Sequence, residues 1–556
     1  MKTVIKSTLL AVVGLCAAVL TSCKPSVDKI IEMGEASSFT VYTYDEYGSP
    51  SGSGSGFFIA SDGTAVTNWH VLDGCVKAVV KTSEGKEYEI DSVLCASSKK
   101  DILVFRVKNP DKRKFKKLNF ANELPAKGGK VYNISSPRGL EASFSEGIVS
   151  SYREDSHGKI VQTTAPVSPG SSGSPLLDEN GDVFAITTFK IRGTENVNFC
   201  VIMDENFREE LDDKAFYKSN KRFNSEKTDF VLLNIMPDMG SDIILNAIEF
   251  SPTATTLYLT FTNMHLTSDG SGWKIWAGTG KKNKGLFIED TDTDHRYYMT
   301  SSSLASEKKN AEEVGIAEVL QFKVHFPVIK SHLSNINVMW GEDDNNVHFT
   351  SIDLDAYRNQ LAVDELGYQR ALALKYSQEG AWANTIETLS ELLDEYPSDA
   401  ISLNMMAILY YLLDNNTTAL LYIEEAIENN PNDPLAYLNR AVMLENAKKY
   451  TAAIEDLTAA INISPETAEY YYARARNYYM DDQYRNALDD MKKCLEISGS
   501  GEGYATDPHY YELRGYIYYF LNDKKASEQD IRKAYKLSTD PQMDKRLSNF
   551  FNSYLS

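Results

Sequence analysis

At 556 residues the chain is too long for a single hydrophobic core, so three or more domains are expected. Its composition, with 42% hydrophobic and 24% charged residues, is that of a folded protein and not of a disordered chain. The net charge of −21 repels nucleic-acid phosphates and argues against a nucleic-acid partner.

The first 22 residues have the pattern of a secretory signal: two early lysines, an apolar run too short for a typical membrane span, and then small residues. The stretch ends in Leu-Thr-Ser-Cys at Cys23, which resembles the lipobox of bacterial lipoproteins. The resemblance implies acylation of Cys23 and a lipid-anchored protein of the cell envelope, outside the cytoplasm. Lys24 in place of an inner-membrane retention aspartate favours the outer membrane. A plain signal peptide or an uncleaved anchor is the alternative. Residues 23–36 are predicted to be a linker.

Residues 37–215 alternate short strand-like runs with glycine and aspartate turns, which predicts an all-β domain. The stretch SGSGSG at 51–56 leads directly into FFIA, and this favours a tight hairpin over a flexible linker. Cys75 and Cys95 flank two alternating stretches around a Glu84-Gly85 turn, so a cross-strand disulfide is possible. Two free buried thiols are equally compatible with the pattern.

The stretch SPGSSGSPLL at 168–177 is either an ordinary loop or the turn that carries a nucleophilic serine. A serine hydroxyl needs a base within reach and a third group that orients the base. His70 ends a hydrophobic strand in AVTNWHVLDG, and Asp101 enters an apolar strand in SSKKDILVFRV. Taken singly, such residues are usually a packing histidine and a turn aspartate.

Three segments together resemble the trypsin-like serine proteases of the HtrA/DegP-like branch: GSGFFIASDGTAVTNWHV, KKDILVFRV and QTTAPVSPGSSGSPLLDENGDVFAITT. The resemblance covers about 40–215 and implies a chymotrypsin-like double barrel. It also implies that Ser172 is the nucleophile, His70 the general base and Asp101 the residue that orients the imidazole. The backbone N–H groups of Gly170 and Ser172 would form the oxyanion hole, and no cofactor or metal is needed.

The segments depart from the family pattern at three points. Ser171 and Ser174 stand where the family often has Asn and Gly, and Thr164 replaces a common aspartate. No PDZ-like segment follows the protease region, so regulation by such domains is not implied.

Residues 228–356 return to β patterns and predict a second β-sandwich in which no chemistry is visible. Residues 366–556 then change to a helical period. Pro397, Pro431 and Pro465 recur 34 residues apart, with small residues in register between them. This resembles the tetratricopeptide repeat and implies five helix pairs with a capping helix, an all-α superhelix.

The predicted function is therefore that of a serine endopeptidase acting on extracytoplasmic proteins, with the repeats binding a protein partner or substrate. The alternative is a lipoprotein scaffold that binds peptides and whose protease fold is catalytically silent.

Overall fold

A computed structural model describes residues 24–555 except 136–142, 156–157, 168–169, 191–197, 204–206, 208–228, 238–241, 268–272, 276, 278–284, 306–310, 330–332, 341–346, 360–364, 501–506 and 539. The chain divides into two compact units: Met1–Lys227 with Tyr357–Glu365, and Thr228–Ala356 with Leu366–Ser556. The predicted signal peptide and Cys23 lie outside the described residues. Within the described part of the chain, no helix is long and apolar enough to cross a membrane.

The segment predicted as a linker over 23–36 is in fact largely helical. Helix α1 (Val27–Ser37) begins after Ser26, whose side chain accepts a hydrogen bond from the Lys29 N–H. Ile30 of this helix is 1% exposed and packs in one hydrophobic cluster with Ile134. The burial of Ile30 attaches the helix to the first unit, and a short amphipathic segment of this kind is hard to separate from a linker by sequence.

The first unit begins with a closed six-stranded antiparallel barrel, in the order β1-β2-β3-β6-β5-β4. The glycine- and serine-rich stretch is strand β2, because the absent Cβ atoms allow other groups to approach its backbone closely. A Cβ at Gly56 would lie 2.3 Å from the Phe39 ring. The strands are β1 (Ser38–Tyr44), β2 (Pro50–Phe58), β3 (Thr64–Thr67), β4 (Lys77–Thr82), β5 (Glu87–Ser97) and β6 (Ile102–Val107).

A second closed barrel follows, in the order β10-β11-β12-β9-β8-β7. Val66 of the first barrel and Ile186 of the second belong to one buried cluster, so apolar side chains join the barrels. The predicted double-barrel fold is confirmed. The strands are β7 (Lys130–Ser135), β8 (Ser143–Asp155), β9 (Gly158–Thr163), β10 (Pro175–Leu177), β11 (Val183–Lys190) and β12 (Asn198–Ile202).

Cys75 and Cys95 are not joined to each other, so the possible disulfide is not formed. The Glu84-Gly85 turn is where the sequence places it, between β4 and β5. Cys75, however, is buried in the core of the first barrel and its Sγ donates to the Leu72 carbonyl at 3.1 Å. Cys95 packs against a different hydrophobic cluster, the one that lies between the barrels.

The second unit begins with two antiparallel sheets. One has the order β13-β14-β15-β21-β19 and the other β18-β17-β22-β23, beside a two-stranded pair β16-β20. Phe322 and Trp340 lie on different sheets with ring centroids 5.9 Å apart, as expected for packed sheets. The strands are β13 (Asp229–Ile235), β14 (Ile243–Phe250), β15 (Thr255–Thr262), β16 (Trp273–Ile275), β17 (Leu286–Asp290), β18 (His295–Tyr298), β19 (Ser301–Ser302), β20 (Glu312–Val314), β21 (Val319–Phe326), β22 (Asn335–Trp340) and β23 (His348–Asp353).

The short helix α2 (Trp69–Leu72) lies in the first barrel, and α3 (Leu354–Asn359) follows β23. Among the described residues from Glu365 onward, the α-helices form five pairs and a cap, as the repeat period predicts, and a π-helical turn, Phe551–Leu555, follows the cap. Aspartates such as Asp399 and Asp433 cap the first helices of the pairs. The pairs are α4 (Glu365–Gln378) with α5 (Trp382–Glu395), α6 (Ala400–Leu412) with α7 (Asn416–Asn429), α8 (Pro434–Asn446) with α9 (Tyr450–Ile463), α10 (Ala468–Met480) with α11 (Tyr484–Ser500), and α12 (Pro508–Phe520) with α13 (Lys524–Leu537), followed by α14 (Pro541–Phe550).

Candidate active site

The structure brings His70 and Asp101 together across 31 residues of sequence. His70 lies on helix α2, directly after β3, and Asp101 lies immediately before β6, which pairs with β3. The imidazole Nδ1 is 2.7 Å from Asp101 Oδ2, and the backbone N–H of His70 donates to Oδ1 at 2.9 Å. One carboxylate thus binds both the ring and the backbone of the same histidine, which fixes the ring's orientation.

Asp101 is itself held in an uncommon backbone conformation. Its φ of 53° lies in the left-handed region, and the residue is only 7% exposed. The buried Asn68 side chain donates to the Asp101 carbonyl at 2.7 Å and to Thr188 Oγ1 of the second barrel at 3.2 Å. Asn68 therefore links the backbone of Asp101, in the first barrel, to Thr188 in the second barrel. Sequence reasoning missed it, although a polar residue between an apolar strand and His70 is a usable signal.

Exposure distinguishes the serines of the nucleophile loop. Ser171 is 1% exposed and donates to Ser135 Oγ at 3.1 Å, and Ser174 is fully buried and accepts from Asn133 Nδ2 at 2.9 Å. Ser172 between them is half-buried and can be reached from solvent. Ser168 lies outside the described residues. Among the described serines of the loop, Ser172 is the one that is not fully buried.

The loop backbone is shaped by two glycines and by strand β2. Gly170 and Gly173 both have φ of 90°, where a side chain is strained. Ser55 Oγ donates to the Gly170 carbonyl at 2.9 Å, and the Ser55 N–H donates to the Ser172 carbonyl at 2.7 Å. With both carbonyls engaged by Ser55, the N–H groups of Gly170 and Ser172 donate to no acceptor among the described residues. Two such unused N–H groups beside a nucleophile are what an oxyanion hole requires.

Strand β2 also connects the loop to the histidine. A Cβ at Gly54 would lie 2.7 Å from Val71 Cγ2, next to His70, and 3.2 Å from the Ser172 carbonyl. The segments that carry His70 and Ser172 therefore both lie against Gly54. Within the described contacts, no hydrogen bond joins Ser172 Oγ to the imidazole. Such bonds are often long in unliganded enzymes and shorten when substrate binds.

Two further residues near the loop have structural explanations. Thr164, which departs from the family pattern, directly follows β9. Its Oγ1 accepts the Ile148 N–H of β8 at 3.0 Å, which ties the segment that leads to the nucleophile loop to β8. Cys200 is fully buried beside Thr187, and burial raises the pKa of its thiol to about 12. A thiol that remains protonated and inaccessible does not compete with Ser172 as a nucleophile.

Comparison with known proteins assigns two parts of the chain to known families. The trypsin-like peptidase domain family matches residues 54–186, and the tetratricopeptide repeat family matches 422–455 and 508–541. Serine protease HTR4 of Rattus norvegicus is 33% identical over 163 residues, which is 28% of this chain and 33% of that protein. A probable periplasmic serine endoprotease DegP-like of Halomonas elongata is 34% identical over 140 residues, 24% of this chain and 29% of that protein.

Among solved structures, the crystal structure of the active form of the Rv3671c protease from M. tuberculosis matches 33% of this chain and 86% of that chain. Its sequence identity is 22% and its TM-score 0.29, a likeness too weak to add to the comparison. The chain spans about a third of the length of the curated relatives it matches. The chain thus combines a trypsin-like serine protease domain, homologous to those of HtrA and DegP proteases, with C-terminal tetratricopeptide repeats.

Proposed function

We propose that this protein is a serine endopeptidase that hydrolyses peptide bonds of extracytoplasmic proteins. Ser172 Oγ attacks the scissile carbonyl and forms a bond to its carbon, while His70 takes the hydroxyl proton. The carbonyl oxygen becomes an oxyanion that the N–H groups of Gly170 and Ser172 stabilise. His70 then gives its proton to the leaving amine, and water repeats the sequence to release the acyl group.

The observation that carries this proposal is that the Asp101 carboxylate contacts His70 at two points, its backbone N–H and its ring. The Asp101 carboxylate accepts the His70 backbone N–H at 2.9 Å and lies 2.7 Å from ring Nδ1. When the Nδ1–H donates to the Asp101 carboxylate, the neutral imidazole has Nε2 unprotonated and able to act as a base. The half-buried Ser172, together with the N–H groups of Gly170 and Ser172, which have no acceptor among the described residues, would supply the remaining parts of an acyl-transfer site.

A catalytically silent protease-fold scaffold is the second candidate, and one observation favours it. No described hydrogen bond links Ser172 Oγ to His70, so the resting site has its base oriented without the nucleophile engaged. A site that engages only after substrate binding would give the same resting geometry.

The placement of the protein and the role of the repeats belong to the same proposal. A lipid on Cys23 would hold the peptidase at the bacterial cell envelope, preferably on the outer membrane, and the DegP-like relatives are named as periplasmic proteins. The repeats would bind a protein partner or deliver a substrate to the protease.

The test is covalent labelling of the chain from residue 24 onward, which lacks the signal peptide and Cys23, with a fluorophosphonate probe. The wild-type chain and a Ser61→Ala control, which changes an exposed serine of the same domain, should be labelled equally, and Ser172→Ala not at all. Absence of label from all three, with peptide substrates also uncleaved, would reject the peptidase and favour the scaffold. Label that persists in Ser172→Ala would reject Ser172 as nucleophile.

A further inference from the structure

A short segment of the β region is bound by the helical repeats. Met264–Leu266, called the groove segment below, follows strand β15 and lies against the buried Asn439 of helix α8. Asn439 Oδ1 accepts the Leu266 N–H at 2.9 Å, and its Nδ2 donates to the Met264 carbonyl at 3.0 Å. An N–H and a carbonyl two residues apart are the groups that a neighbouring residue engages in a parallel β-ladder. The repeats therefore bind this segment through its main chain, as a site for an extended peptide does.

The side chains of the segment define three subsites. Met264 and Leu266 are 7% and 1% exposed and belong to the hydrophobic core of the repeats. His265 between them is 9% exposed, and its Nε2 lies 2.9 Å from Asp242 Oδ2. The groove thus offers an apolar, an acidic and a second apolar subsite in sequence.

Three carboxyl groups act electrostatically on the single imidazole in the acidic subsite. Besides Asp242, the carboxylates of Asp433 on the repeats and Glu469 on α10 act electrostatically on His265. The buried Oδ1 of Asp242 and Oε2 of Glu469 have no hydrogen-bond partner among the described residues. A buried acceptor without a donor costs free energy, and a longer cationic side chain than histidine could supply the donors.

The groove segment can be released without separation of the β region from the repeats, because other bonds join them. Gln378 Nε2 donates to the Val319 carbonyl at 3.2 Å, and Ser377 Oγ donates to the Ala317 carbonyl at 3.4 Å. Asn263, just before the segment, remains tied to its own sheet through its Nδ2, which donates to the Val314 carbonyl at 2.8 Å. None of these three bonds involves the groove segment, whose displacement would break the bond from the His265 N–H to Asn263 Oδ1 at 3.0 Å and leave the three in place.

We propose that Met264–Leu266 is an internal ligand of the repeats, and that their groove recognises an extended peptide with a lysine or arginine between two apolar residues. The partner peptide binds by displacing the groove segment, pairs its cation with Asp433 and Glu469, and uses Asn439 as the main-chain contact. This inference rests on the proposed function in that the repeats serve as the partner-binding part of the peptidase.

The test uses the mature full chain and fluorescein-labelled peptides Asn-Met-Lys-Leu-Thr and Asn-Met-Glu-Leu-Thr, read by fluorescence anisotropy. A release variant, His265→Glu, places a fourth carboxylate in the acidic subsite and expels the segment. We expect the lysine peptide to bind the release variant at least 10-fold more tightly than wild type, and the glutamate peptide to bind neither. Adding Asn439→Ala to the release variant should weaken the lysine peptide at least 10-fold.

Equal binding of the lysine peptide to wild type and release variant, or equal binding of both peptides, would overturn the proposal. If His265→Glu does not fold, as judged by circular dichroism, the uncharged His265→Gln replaces it. A second measurement needs no peptide: in Asn439→Ala the Leu266 amide should exchange hydrogen at least 10-fold faster, and unchanged exchange would also overturn the proposal. Fluorophosphonate labelling of Ser172 does not depend on the groove, so the two proposals can fail separately. Peptide binding without labelling would reject only the peptidase. Labelling without peptide binding would reject only the internal ligand.

Discussion

The Asp101 carboxylate binds His70 at two points, ring Nδ1 at 2.7 Å and backbone N–H at 2.9 Å, from a left-handed backbone conformation with φ of 53°. Asparagine tolerates that conformation better than most residues, so Asp101→Asn keeps the backbone while it removes the charge. We expect kcat/KM for a peptide substrate to fall by about 10⁴, because the amide favours the wrong imidazole tautomer.

The matched control for that change is Asp91→Asn, an exposed carboxyl in the same barrel. Its kcat/KM should stay within about twofold of wild type, since exposed substitutions away from the site have little effect. A near-normal rate for Asp101→Asn would mean that another acid orients His70.

The glycines of strand β2 allow a second, paired prediction. Gly54→Ala places a Cβ 2.7 Å from the stiff Val71 side chain and 3.2 Å from the Ser172 carbonyl, so the histidine segment or the nucleophile loop must move. Gly52→Ala, in the same strand, meets Thr43 Oγ1 at an ordinary 3.5 Å. We expect fluorophosphonate labelling to slow at least 10-fold in Gly54→Ala, because displacements near 1 Å at a catalytic site cost about 10² in rate.

Labelling of Gly52→Ala should proceed at the wild-type rate. Equal rates for the two variants would show that the close approach of Gly54 to the nucleophile loop has no part in activity. Circular dichroism of both variants separates a local shift from unfolding of the barrel.

The sequence was sufficient to predict features that depend on short motifs or on a constant spacing. Recognisable motifs contain His70, Asp101 and Ser172, and the repeats are identified by prolines at a constant spacing. It could not predict contacts between residues that share no periodic signal. Asn439 binds the groove segment from 173 and 175 residues away, and Asn68 bridges the barrels over 120 residues. Helix α1, within the segment predicted as a linker over 23–36, was not predicted, because the apolar face that contains Ile30 is recognisable only once the barrel residues that pack against it are known.

One regularity of the repeats was present in the sequence and was missed. An arginine on the first helix of a pair binds an aspartate 16 residues later on the second helix, through both carboxylate oxygens. The pairs are Arg440–Asp456, Arg474–Asp490 and Arg514–Asp530. Arginine and aspartate at a fixed offset in a repeat could have indicated a pair that joins the two helices.

This pairing predicts unequal effects at two neighbouring aspartates of α11. Asp490→Ala leaves the largely buried Arg474 guanidinium without its partner and should lower the free energy of unfolding by about 3 kcal/mol. Asp489→Ala removes an ion pair with Lys492 whose side chains are 76% and 55% exposed, and the loss should be below about 0.5 kcal/mol.

Thermal melting followed by circular dichroism compares the two variants in the full chain. Adding Arg474→Met to Asp490→Ala should recover part of the stability, since no unpaired charge then remains. Similar melting temperatures for Asp490→Ala and Asp489→Ala would show that the repeated pairs do not stabilise the helices.

The second unit should lose stability as pH rises from about 5 to 9.5, because His265 and Glu469 release protons that the folded state holds. Burial alone would lower the pKa of His265, but the charge and hydrogen bond of Asp242 outweigh it and raise the pKa to about 9, and burial raises the pKa of Glu469 to about 7. Because both values lie above those of the unfolded chain, near 6.5 and 4.5, the folded state holds these protons more tightly. The Glu469 contribution is therefore lost as pH rises through about 7, and the His265 contribution as it rises through about 9.

Melting temperatures of wild type should fall across this range, and in His265→Gln the fall above about pH 7 should be smaller. A wild-type profile that rises between pH 6.5 and 9 would contradict the protonated His265–Asp242 pair.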